Sequence, residues 1–199
     1  KPLSMKIKFI SLVTFTFFMN YVSSQTNLQQ FYKLTNQNDT IGVVTLLNEW
    51  QKTNPEDPDL YIAWFNFYFQ KSMKEVIRLD SDPNKQGDIQ ITDPVTKKKV
   101  GSMYGEIFYV PEIVRKGLEY IDKGIEKYPT RLDMRFGKIY TLGKIMDYTN
   151  FTNEILSTID YSDIIKNNWT WKENKPLENP KESLLDGIQD YQLQLYNTG

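Results

Sequence analysis

The chain has 199 residues, of which 40% are hydrophobic and 14% aromatic, and its 24 basic and 25 acidic side chains nearly cancel. It contains neither cysteine nor histidine, which excludes disulfides, thiol nucleophiles, Cys/His zinc sites and His-based catalytic triads. The balanced charge offers no wide basic face for nucleic acid. We therefore expect a folded domain or a short repeat array with no cofactor, no bound metal and no nucleic-acid partner.

The N-terminal segment has the order of features that is typical of a signal peptide. A basic stretch at 5–8 precedes an apolar run at 9–19, and small residues follow at 22–24. The run is shorter than a comfortable membrane span, although a buried or membrane-anchoring helix is the alternative. We interpret residues 1–24 as a signal peptide with a short N-terminal extension. The exported chain, periplasmic or extracellular, would then begin near Gln25 and keep no stable membrane span.

Apolar residues spaced three and four positions apart predict three helices in the first part of the chain. The first covers residues 27–36. The second follows Asn38 or Asp39, whose short side chains can accept hydrogen bonds from a first helical turn, and ends before Pro55. The third covers about residues 60–79 and carries aromatic side chains on more than one face, which indicates a helix covered on both sides.

Residues 80–110 interrupt this helical pattern. Alternating residues at 88–92 and a returning segment at 98–103 predict an inserted β-hairpin, with a mobile surface loop as the alternative. The Asp-rich residues 80–84 resemble the start of a calcium-binding loop. The Gly and Glu that such a loop needs are absent at the required positions, so we interpret this stretch as a solvated turn.

Helical spacing returns after residue 110 and predicts four further helices, at residues 112–128, 132–146, 151–164 and 180–196. The last helix keeps an apolar stripe almost to its end, formed by Leu184, Leu185, Ile188, Tyr191 and Leu195. A helical repeat array normally closes with a cap whose outer face is polar. We therefore expect the chain to be truncated at its C-terminus relative to a longer solenoid, and expect this stripe to form an exposed apolar patch.

Helix pairs that close on Asn54-Pro55 and on Tyr128-Pro129 resemble tetratricopeptide repeats. The block from Tyr120 to Pro129 is similar to the second helix of such a repeat. The resemblance covers about residues 27–166, and its combination with an export signal resembles exported repeat proteins of the Bacteroidetes type. The resemblance implies an all-α fold over residues 25–199, a right-handed helical-hairpin solenoid with a small β-hairpin insertion, and no known reaction.

The candidate binding residues follow from the geometry of a two-helix repeat, in which the first helix of each unit lines the concave surface. The polar side chains expected there are Asn66, Gln70, Arg131, Arg135 and Lys138. The planar fork of arginine matches carboxylates on a partner. Trp169 and Trp171 are further candidates because they stand in a polar segment, with packing beneath the last helix as the alternative.

The sequence therefore predicts an exported, non-catalytic scaffold that binds a protein or peptide partner through the concave face of its stacked helix pairs. One alternative is a hydrolase that uses paired carboxylates such as Asp160 and Asp163. The other alternative is a structural component of the cell envelope.

Overall fold

The computed structural model describes residues 26–82 and 89–198, so the predicted signal peptide and part of the Asp-rich turn lie outside the described residues. The helices and strands in these residues are α1 Asn27–Asn36, α2 Thr40–Thr53, α3 Pro58–Ser72, β1 Met73–Asp80, β2 Ile89–Thr92, β3 Lys99–Tyr109, α4 Pro111–Lys127, α5 Leu132–Lys144, α6 Tyr148–Ile164 and α7 Pro180–Thr198, with a 3₁₀ turn at Lys172–Asn174. Within this part of the chain, each helix is too short or too polar to cross a membrane.

Capping side chains and prolines set the helix ends much as the sequence predicts. Asp39 precedes α2, and its Oδ1 accepts a hydrogen bond of 2.8 Å from the Gly42 N–H. Asp57 caps α3 in a similar way. At the other end, Asn54 and Tyr128 leave the helical conformation directly before their prolines, with φ of −144° and −127°, because a following proline disfavours the α region.

The predicted end of the third helix is wrong, and the insertion has three strands where the sequence predicts two. α3 ends at Ser72 rather than near Leu79, and the next eight residues form β1. β1 pairs antiparallel with β3 along its whole length, and this non-local pairing overrides the local helical spacing. The predicted hairpin is present as β2 and β3. The fold is therefore mostly helical rather than all-α, with an inserted three-stranded sheet in the order β1-β3-β2.

Helices that are neighbours in the chain pack against one another, and α3 and α4 share the longest contact. Glycines on α4 make this close approach possible. A Cβ at Gly124 would lie 3.0 Å from the Tyr61 Cβ, and a Cβ at Gly117 would lie 3.2 Å from the Phe65 carbonyl oxygen. Further contacts join α1 to α3 and α5 to α7. This arrangement is compatible with a helical-repeat fold, whereas the right-handed superhelix stays a prediction.

The apolar stripe on α7 packs against α5 and α6 rather than facing solvent. Leu184 is buried, and the Tyr191 hydroxyl donates to the Phe136 carbonyl oxygen at 3.0 Å. Burial raises the pKa of Tyr191 to about 12. The expectation of an exposed stripe is therefore wrong for its main members, because α5 and α6 cover them. The exposed apolar side chains of α7 are Leu185, Leu193 and Tyr196.

The two ends of the insertion meet at its base. The Val110 N–H donates to the Ser72 carbonyl oxygen at 2.9 Å, so the end of α3 and the residue before α4 are neighbours. Because α3 and α4 contact each other directly, their packing does not pass through the sheet.

We expect replacement of residues 73–109 by a Gly/Ser loop of about four residues to preserve the helical circular dichroism signal and cooperative thermal unfolding. A modest loss of stability should remain, because Tyr109 stacks on Phe69 with ring centroids 5.4 Å apart. Tyr109→Ala in the full chain is the control and should reproduce that loss. Non-cooperative unfolding of the excised variant would show that the sheet is part of the core.

Candidate functional site

Arg131 stands directly before α5, and its guanidinium group is fully buried. Nη2 donates to Asp59 Oδ1 at 2.6 Å, and Nε and Nη2 donate to the two carboxylate oxygens of Asp133 at 2.8 and 2.7 Å. Burial alone would lower the pKa of Arg131, but hydrogen bonds and charge from Asp133 and Asp59 outweigh it and raise the pKa. This ion network joins the start of α3 to the start of α5.

Arg135 lies one turn further along α5 and is also buried. Its guanidinium carbon is 4.7 Å from the ring centroid of Tyr161 and 5.7 Å from that of Trp169, within the range of cation–π attraction. Nη1 lies 3.4 Å from Glu154 Oε1. Burial lowers the pKa of Arg135, and the charge of Glu154 offsets only part of this effect.

Lys138 continues the same network on α5. Its Nζ lies 2.7 Å from Glu154 Oε2 and 2.8 Å from Asp122 Oδ1. Burial acts to lower the pKa of Lys138, but hydrogen bonds to Asp122 and Glu154 outweigh it and raise the pKa. Asn66 is half-buried and Gln70 is exposed on α3, and no hydrogen bond or ion pair in the described part of the chain joins them to this network.

The prediction that Arg131 and Arg135 are exposed readers is wrong, because the segment between α6 and α7 covers them. The Thr170 N–H donates to the Thr130 carbonyl oxygen at 2.9 Å, and the Leu132 N–H donates to the Thr170 carbonyl oxygen at 3.1 Å. These bonds hold the segment across the start of α5. The charges that the sequence assigned to a partner are therefore satisfied within the chain.

Trp169 and Trp171 belong to this covering segment. Trp169 is buried beside Leu184, and its Nε1 donates to Ser162 Oγ at 2.9 Å. Trp171 is half-buried, with its ring centroid 6.3 Å from that of Phe136. Trp169 is therefore packed beneath the last helix, as the alternative predicts, whereas Trp171 is only partly covered and lies against Phe136 of α5.

A hollow of about 650 Å³, here called the groove, lies where the sheet meets the helices. It is formed by the end of β3, the first half of α4 and the corner between α5 and α6. Its apolar lining includes Ile107, Phe108, Val114, Leu118, Ile145 and Met146. Its polar rim includes Glu106, Arg115, Lys144, Asp147 and Asn150. No local pattern could reveal the groove, because three separated segments build it.

Met146 turns the corner between α5 and α6 in the left-handed conformation, with φ of 61°. Its N–H donates to the Gly143 carbonyl oxygen, and the Asp147 N–H donates to the Leu142 carbonyl oxygen at 3.0 Å. Glycine is preferred at such a helix end, because an L side chain in this conformation costs roughly 1 kcal/mol. The Met146 side chain is 70% exposed and lines the groove. An apolar side chain therefore stands at a position where glycine would cost less.

The rim of the groove is polar, but its carboxylates already have partners. Glu106 forms an ion pair with Arg78, and Asp147 accepts hydrogen bonds from the Asn150 backbone N–H at 3.2 Å and side-chain Nδ2 at 2.7 Å. Among the residues that the structure describes, no cluster of three or more acidic side chains is placed to hold a metal ion. The groove therefore offers apolar contact surface with charged edges.

Comparison of the chain with protein-family models, with curated proteins and with solved structures finds no match. The likeness to tetratricopeptide repeats therefore stays a prediction from the sequence.

Truncation of Arg131 tests the buried network. We expect Arg131→Ala to lower the free energy of unfolding by about 3–5 kcal/mol, because it leaves the carboxylates of Asp59 and Asp133 without their cation. Arg78→Ala is the control, since Arg78 pairs with Glu106 at the surface and surface pairs contribute little. Urea unfolding followed by circular dichroism measures both variants. Equally small shifts would show that the network does not hold the helices together.

Proposed function

We propose that this chain is an exported, non-catalytic scaffold that binds a protein or peptide segment through the groove. The observation that carries the proposal is Met146, which keeps a backbone conformation that glycine adopts at lower cost and presents a flexible apolar side chain to solvent. Methionine is common in surfaces that adapt to their partners. Seven non-glycine residues in the described part of the chain have positive φ, and Met146 is the one among them with an apolar side chain. Backbone strain often persists where a side chain is used.

The lining of the groove indicates the chemistry of the partner. Its floor can receive a few apolar side chains, as in complexes where an amphipathic helix or an extended segment places anchors in a groove. Its rim carries Arg115 and Lys144 as well as Glu106 and Asp147. A segment with apolar anchors flanked by charges of both signs would complement it, and such complementarity favours specificity.

The buried charges favour the groove over the concave face as the binding surface. Arg131, Arg135 and Lys138 are committed to Asp133, Glu154 and other acids of the same chain. Exposing them to a partner would leave those acids uncompensated, at a cost of several kcal/mol. The hydrolase alternative finds little support in the groove, because its rim carboxylates are already engaged.

Replacement of Met146 by glycine separates binding from stability. We expect Met146→Gly to leave the free energy of unfolding unchanged or to raise it by about 1 kcal/mol, because glycine relieves the left-handed strain, and to remove the anchor side chain. Asn38→Gly is the matched control, since Asn38 has φ of 56° at the end of α1. Asn38 does not line the groove.

Crosslinking in the producing cell followed by quantitative mass spectrometry measures capture by the wild type and both glycine variants. A partner captured by the wild type and by Asn38→Gly should fall about tenfold or more with Met146→Gly, which corresponds to about 1.4 kcal/mol of binding free energy. Equal capture by all three proteins, with folding intact, would remove the groove from the binding function.

Export has a separate test, because residues 1–24 lie outside the described residues. N-terminal sequencing of the protein recovered from the periplasm or the medium should begin near Gln25. A variant that lacks residues 9–19 should remain in the cytosol, since the apolar run is the part of a signal peptide that drives export. A recovered chain that still contains Phe9 would contradict cleavage.

A further inference from the structure

Strand β1 forms an open edge of the sheet. It pairs with β3 over all eight residues, Met73–Asp80, without a register shift, and no other described strand pairs with its outer side. Alternate residues of an edge strand direct backbone N–H and C=O groups outward. β1 therefore offers a regular row of hydrogen-bond donors and acceptors.

The opposite edge of the sheet is protected in ways that β1 is not. β2 has four residues and a register shift between Ile91 and Thr92, and three consecutive lysines at 97–99 stand nearby in the sequence. Short length, irregularity and lysine all discourage strand pairing at an edge. β1 is longer, regular and free of proline, so the two edges differ in their capacity to accept another strand.

One face of the sheet is aliphatic and exposed. Directly paired residues share a face, and the two registers place together the exposed side chains Met73, Ile77, Leu79, Ile89, Ile91 and Ile107. Ile77 and Leu79 are each 72% exposed. Ile77 lies opposite Gly105, which has no side chain to cover it. An aliphatic face of this kind marks an interaction surface.

The sequence of β1 is complementary to itself. If two copies of β1 run antiparallel with Ile77 opposite the partner's Ile77, Lys74 lies opposite the partner's Asp80, and the twofold axis repeats this pair at the other end. The axis is perpendicular to the sheet, so both aliphatic faces stay on the same side. Lys74 is exposed, and the ion pairs within the described part of its own chain do not include it.

Other registers of the same pairing are less favourable. Registers centred on Glu75, Val76 or Arg78 each place like charges opposite each other, which destabilises a strand pair. A register centred on Leu79 overlaps only the last three residues of each strand. The register centred on Ile77 overlaps residues 74–80 of both strands and contains no pair of like charges.

We propose that the β1 edges of two copies of this chain pair in the Ile77 register, so that a twofold dimer joins their sheets. The pairing satisfies outward backbone groups, brings the two Ile77 side chains into contact and compensates Lys74 with the partner's Asp80. Packing the two aliphatic faces against each other is disfavoured. Glu75 stands in that face, with its carboxylate beside Gly105, and would be buried without a cation.

Two charge reversals provide the decisive test. Lys74→Asp alone and Asp80→Lys alone each place like charges at both ends of the dimer, and we expect each to raise the dimer dissociation constant by about tenfold. An equimolar mixture of the two variants should recover the wild-type constant, because each end then pairs an acid with a base. Sedimentation equilibrium over a concentration series measures all three samples, and circular dichroism confirms that each variant is folded.

A cysteine crosslink tests the register independently of charge. The chain has no cysteine, so Ile77→Cys introduces a single thiol at the twofold axis. Directly opposite Cα atoms in an antiparallel pair are about 4.5–5.5 Å apart, within disulfide reach. Mild oxidation should give a covalent dimer on a non-reducing gel. Ile41→Cys, exposed on α2, is the control and should stay monomeric.

Three outcomes would overturn the proposal. The first is a wild-type chain that remains monomeric throughout the concentration series, which would leave the edge to a different partner. The second is a mixture of the charge variants that associates no better than either variant alone. The third is equal crosslinking of the cysteine variants at positions 77 and 41, which would indicate non-specific collision.

Discussion

The burial of Arg131 between Asp59 and Asp133 is the constraint on which the helix arrangement depends. A guanidinium group without water must keep its carboxylates, because an uncompensated buried charge costs several kcal/mol. The start of α5 is therefore tied to the start of α3. The segment that carries Thr170 closes over the same point through backbone hydrogen bonds. An apolar core alone would permit small shifts between these helices, whereas directional bonds to two carboxylates fix their relative position.

Under the proposed binding function, the same constraint would restrict where a partner binds. Arg131 and Arg135 are paired with Asp59, Asp133 and Glu154, and the segment between α6 and α7 shields both arginines from solvent. Apolar surface stays available at the other end of α5, where the Met146 corner, α4 and β3 enclose the groove. The rigid network and the adaptable methionine thus lie at opposite ends of one helix. This division would suit the proposed scaffold, because binding side chains are positioned best when rigid elements carry them.

Local signals predict the helices well, and non-local contacts explain the errors. Asp39 as a cap and the prolines after Asn54 and Tyr128 act within a few residues, so the sequence alone locates α2 and the end of α4. The end of α3 depends on the pairing of β1 with a strand that begins 26 residues after its own start, at Lys99, and no helical period contains that information. The sequence also places Met146 inside the predicted helix 132–146, whereas α5 ends at Lys144 and Met146 turns the corner with positive φ.

The prediction that Arg131 is exposed is wrong for the same physical reason. Helical periodicity identifies the side of α5 that carries the arginines, but it does not identify which distant segment covers that side. The covering segment around Trp169 has no periodicity of its own. Its four residues with positive φ, which glycine usually occupies, are Lys166, Asn167, Glu173 and Asn174. Two tryptophans in a polar stretch were the available signal. Tryptophan side chains are highly buried on average, so burial was the more favourable expectation for these two residues.

The hydrogen bond between Val110 and Ser72 has a consequence for how such a chain can change over time. It brings the two ends of the insertion together. The helix packing therefore requires only that the insertion begin and end at neighbouring positions. Mutations that lengthen, shorten or replace the strands would meet little resistance from the helical core. The sheet is in this sense the part of the chain whose length and sequence can change most freely without altering the packing of the helices.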